Sequence, residues 1–104
     1  MAAGTKFIAT RPSLVETFGS AMQALPFVQR VLVDDIHHVG EILTIITAEP
    51  FDPEPRRRVY EAQLAALEQA GFPPVHFSLV NVRELCDDAS AVAPATYQTV
   101  FQRS

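Results

Sequence analysis

Residues 27–48 read FVQRVLVDDIHHVGEILTIITA, two β-branched and aliphatic runs on either side of a polar octapeptide. Valine, isoleucine and threonine suit a pleated, half-buried surface, and a turn-like segment between two such runs predicts a β-hairpin. The octapeptide itself, DDIHHVGE from Asp34 to Glu41, holds three carboxylates and two imidazoles. Both strands are apolar on both faces: Leu43 and Ile45 point one way, Ile42, Thr44 and Ile46 the other. A sheet covered on one side only should alternate more cleanly.

Upstream, SLVETFGSAMQAL reads as a helix, with Leu14, Phe18, Ala21, Met22 and Leu25 at helical spacing on one apolar stripe. Ser13 followed by Glu16 is a capping-box signature, and Pro26 stops the helix. Gly19 inside it costs about 1 kcal/mol relative to alanine, which suggests close packing at that point.

Downstream, EPFDPEP is too rich in proline for a strand interior. Asp52 suits an N-cap and Pro53 the first helical position. The helix is predicted through EPRRRVYEAQLAALEQAG, with Tyr60, Leu64 and Leu67 on its buried stripe and Gly71 as its stop. VHFSLVNV alternates as a strand, with Val75, Phe77, Leu79 and Asn81 on one face and His76, Ser78, Val80 and Val82 on the other. RELCDDASAVAPA suggests a loop or short helical turn, and TYQTVFQ a last edge strand.

With a short strand at KFIAT the order becomes (β)αββαβ, the ferredoxin-like split βαβ arrangement. The expectation is an α+β two-layer sandwich, with an antiparallel sheet covered by two helices on one face and an extra C-terminal edge strand. All of residues 1–104 fit one domain, with 1–10 and 84–104 as arms or edge strands. The other sheet face would be left in water, and a second copy laid against it is the expected remedy.

A net charge of −4 argues against a dedicated nucleic-acid binder. Cys86 is the only cysteine, so no disulfide closes within the chain and a reducing cytoplasm is expected. No signal-peptide pattern is visible, and no apolar run approaches the roughly 18 residues of a membrane span.

Three candidate sites arise. Asp35, His37, His38, Glu41 and His76 are residue types that ligate zinc and related ions. Against that, adjacent histidines on a strand face opposite ways, and no HxxxH or CxxC spacing accompanies them. Gly40 and the surrounding polar side chains suit a hairpin loop in any case. Arg56, Arg57 and Arg58 occupy the first turns of a helix, where the macrodipole disfavours cations. They could hold an anion or a nucleotide, or simply pair with Glu49, Asp52, Glu54 and Glu61. His76 is expected half-buried among apolar neighbours, with no partner that would make it a base. Asp87 and Asp88 beside Cys86 would raise its thiol pKa, the wrong direction for a nucleophile.

No GxSxG, P-loop, GxGxxG, HExxH or EF-hand pattern occurs, so no catalytic residue and no cofactor is assigned, and the reading leans away from an enzyme. The expectation is a small domain acting by association, as a regulatory, adaptor or ligand-sensing module. It would form a homodimer through the exposed sheet face, or serve a larger protein. The alternatives are an anion module at Arg56–Arg58 and a metal-dependent activity in the octapeptide. Element order alone cannot choose, because fold does not carry function.

Overall fold

In a computed structural model, which describes residues 13–84 and 96–103, helix α1 spans Leu14–Gln23. Ser13 caps it as expected: its Oγ accepts the Glu16 N–H at 3.0 Å. The far end is closed from a distance. The Arg103 guanidinium donates to the carbonyls of Gln23, Leu25 and Val28 at 2.9–3.1 Å, placing a cation where the helix dipole favours one.

Strands β1 (Val28–Val33) and β2 (Glu41–Ile46) form the predicted antiparallel hairpin, closed by Asp34 N–H to Glu41 C=O at 3.3 Å. Helix α2 (Pro53–Ala70) begins with the Asp52 side chain accepting the Glu54 N–H. It ends with Gly71 in the left-handed region, where the Phe72 N–H reaches Leu67 C=O and the Gly71 N–H reaches Glu68 C=O. That is a Schellman closure, and glycine enters the left-handed region without the steric penalty of a Cβ. Strand β3 (His76–Asn81) leads into a 3-10 turn at Val82–Glu84, and β4 (Gln98–Gln102) lies at the edge beside β1.

The sheet order is β3-β2-β1-β4, with β3 parallel to β2 and the other pairs antiparallel. The protein is thus α+β, with two helices and a four-stranded mixed sheet among the described residues. The wholly antiparallel sheet expected from the sequence is not what forms. Helix α2 carries the chain back to its starting end, so β3 runs the same way as β2 and sits directly beside it. The described strands therefore do not confirm a ferredoxin-like order, in which a strand would separate that pair. KFIAT and most of RELCDDASAVAPA lie outside the described residues.

Both helices pack into one core with Val28, Val31, Val33, Ile42 and Ile46. Phe18 and Met22 enter it from α1, and the Phe18 ring lies 5.2 Å from that of Phe77. A Cβ on Gly19 would meet Val100 Cγ1 at 3.4 Å, so the glycine is where β4 and α1 approach closely. From α2 the buried residues are Val59 and Ala66, with Ala62 partly buried beside them. The expected stripe of Tyr60, Leu64 and Leu67 is not the one that packs: Tyr60 and Leu64 are exposed and Leu67 is half-buried. Small side chains let the helix settle close to its neighbours, which outweighs the larger area of the other stripe.

The second sheet face is not left in water either. Leu32, Leu43 and Ile45 are 2%, 5% and 4% exposed, with Val80, Val82 and Tyr97 packed against them. On the helix side, Thr44 is buried with no hydrogen-bond partner for its hydroxyl among the described residues. Thr44→Val keeps the shape and removes that desolvated hydroxyl, so it should raise the free energy of unfolding by about 1 kcal/mol. Denaturant titration checks this, and a loss of stability would show that the hydroxyl is satisfied.

Candidate functional site

The octapeptide forms the hairpin loop. Asp34 organises it, one carboxylate oxygen accepting the N–H groups of Asp35, Gly40 and Glu41 at 2.9, 3.0 and 3.1 Å. Those bonds hold its carboxyl below the ordinary range, the Gly40 and Glu41 N–H groups acting most strongly. Asp35 accepts the His37 N–H in an Asx turn, and the Ile36 N–H reaches Gln98 Oε1 at 2.7 Å. His37 and His38 are exposed on this loop.

Glu41, which closes the loop and opens β2, and His76 carry their side chains on the sheet. They sit opposite each other in the β2–β3 register, with His76 exposed rather than half-buried, because it opens the edge strand β3. The Glu41 carboxylate accepts hydrogen bonds from Ser78 Oγ at 2.5 Å and from the Tyr97 hydroxyl. These bonds depress its pKa, with a smaller contribution from the nearby His76, and the same contact raises that of Tyr97. Ser78 and Tyr97 lie 37 and 56 residues from Glu41, so nothing local in the sequence pointed to them. The sequence candidates thus divide into Asp35, His37 and His38 on the loop and Glu41 with His76 on the sheet. Among the described residues no three His, Cys, Asp or Glu side chains come together as a metal-ligand group.

All three arginines of the triplet face carboxylates. Arg56 makes a fork to Glu84 at 2.7 and 3.0 Å. Arg57 pairs with Glu54 and Glu61, and Arg58 reaches Glu54 at 3.5 Å. Glu84 was not among the anticipated partners. It also accepts the Phe51 N–H at 2.8 Å, and these two donors push its pKa down to about 2. Phe51, held this way in the left-handed region (φ 65°), is 86% exposed.

What α2 turns outward is a second stripe. Pro53, Arg57, Tyr60, Leu64 and Leu67 are spaced by four, three, four and three residues, the spacing of a helix–helix seam. Tyr60 and Leu64 are 51% and 54% exposed. Pro53, Arg56, Arg57, Tyr60, Glu61 and Leu64 line a shallow groove of about 420 Å³ there. Chemically it is an apolar surface with charged margins, suited to holding another apolar surface.

Comparison of the chain with known protein families, with curated proteins and with solved structures finds no match. No helix among the described residues is long and apolar enough to cross a membrane.

Proposed function

We propose that this chain is a small α+β domain that acts by association, as a regulatory, adaptor or ligand-sensing module of the cytoplasm. The observation that carries the reading is the outward stripe of α2. Tyr60 and Leu64 sit side by side, each about half exposed, although the helix has a different face for its own core. An exposed apolar patch with a polar rim marks an interaction surface, and tyrosine is among the residues that carry interface energy. The covered second sheet face makes α2 a better supported surface than the sheet for this role.

The anion alternative has less support, because Arg56, Arg57 and Arg58 each have a carboxylate partner already. The metal alternative has none of the ligand grouping it needs among the described residues.

Placing a photo-cross-linking amino acid at position 60, and as a control at exposed position 69 on the opposite side of α2, tests the reading in cells. A discrete adduct from position 60, absent from 69 and abolished by Leu64→Lys, is expected. Equal capture from both positions, or none from either, would overturn it. The pair Tyr60→Ala and Leu64→Ala should change unfolding free energy by under about 1 kcal/mol, as surface replacements usually do.

A further inference from the structure

We infer that the outward stripe of α2 pairs antiparallel with the same stripe of a second copy, across a two-fold axis between Tyr60 and Leu64. This rests on the association reading and names its partner. In that arrangement Tyr60 of each copy meets Leu64 of the other, and Arg57 comes beside Leu67 and Glu68 of the other. The stripe's alternating spacing of three and four is what two helices need to pack along their length.

The charges choose the partner and its direction. Along its exposed side α2 carries Arg57 in its first half, paired with Glu54 and Glu61, and Glu68 near its end. No basic residue lies in its last turn. The Asp52 cap and Glu54 suit the dipole at the start, whereas Glu68 near the end runs against it. An antiparallel copy compensates that acidic end: Arg57 of each helix lies beside Glu68 of the other. A parallel copy would set Arg57 against Arg57 and Glu68 against Glu68.

The present partners of Arg57 do not hold it back. Its pairs with Glu54 and Glu61 are surface contacts within one helix, and such pairs contribute little and exchange readily. An 18-residue helix is about 27 Å long, so one helix pair gives an interface at the small end of the specific range. The dimer should therefore depend on concentration.

Sedimentation of the full chain tests this with two charge reversals at exposed positions, Arg57→Glu and Glu68→Arg. Wild type should show a monomer–dimer equilibrium over a wide concentration range. Each variant alone should self-associate at least about tenfold more weakly, because each brings like charges together at both ends of the pair. Mixing the two variants in equal amounts should restore the wild-type affinity, since every facing pair is again opposite in sign. Circular dichroism should show both variants folded. A wild type that stays monomeric, or a mixture no tighter than its components, would overturn the pairing. If the position-60 adduct still forms in either case, association stands and only the identity of the partner falls. If no adduct forms, the association reading falls as well.

Discussion

Replacing Asn81 with alanine is expected to lower the free energy of unfolding by about 2–4 kcal/mol, among the largest single effects in the protein. Asn81 is 2% exposed and lies opposite Ile46, where the β2–β3 ladder ends. Its side chain continues the ladder by imitating a backbone amide. Oδ1 accepts the Ala48 N–H at 3.1 Å and the Arg83 N–H at 3.2 Å, while Nδ2 donates to Ala48 C=O at 3.0 Å. Alanine would leave all three backbone groups without that partner, and each such loss in a sheltered place costs more than a hydrogen bond contributes net.

The consequence reaches α2. Ala48 begins the segment that carries the chain to the Asp52 cap, and Glu84, three residues past Asn81, holds Phe51 and Arg56 of the same region. Loosening residue 48 should loosen the start of α2, and with it the surface proposed for association. Denaturant titration gives the energy, and hydrogen exchange at the Ala48 N–H gives the location. A change below about 0.5 kcal/mol with unaltered protection would show that the contact is incidental.

Local chemistry was legible in the sequence, and contacts between distant residues were not. Ser13, Asp52 and Gly71 act on backbone groups within five residues, and their roles could be read directly. The hairpin was equally plain, because its strands and loop are contiguous. The direction of β3 was not. Alternation correctly assigned Phe77, Leu79 and Ser78 to their faces, but periodicity is blind to which neighbour a strand chooses.

The outward stripe of α2 was both found and misplaced. Tyr60, Leu64 and Leu67 are the larger apolar residues, so the pattern marked them as the core face. The helix instead packs through Val59, Ala62 and Ala66, where small size permits close approach. A single chain offers two apolar stripes on one helix, and only the packing shows which one stays outside. That mismatch between pattern and burial is the physical trace on which the association reading rests.

The thermal midpoint is expected to stay level above about pH 5 and to fall steadily as the pH drops toward 2, most of it through carboxylates that the fold keeps ionised. Glu84 is the strongest case: the Arg56 fork, then the Phe51 N–H, take its pKa from 4.5 to about 2. Asp34, Glu41 and Glu54 are also lowered, by backbone N–H groups, by Ser78 with Tyr97, and by Arg57 respectively. A carboxyl with a lower pKa folded than unfolded binds fewer protons in the native state throughout the window between the two values. Stability therefore rises with pH across that window, is fully present above 4.5, and is lost as pH falls through the folded value. Glu84→Gln keeps the shape and removes the titration. The variant should be less stable than wild type at neutral pH, since Arg56 loses its charged partner, and its midpoint should fall less steeply with acid. The two curves should converge near pH 2, where wild-type Glu84 is itself taking up its proton. Curves that stay parallel from neutrality to pH 2 would show that the Arg56–Glu84 fork does not hold Glu84 ionised, and with it would go the account of how the start of α2 is pinned to the sheet.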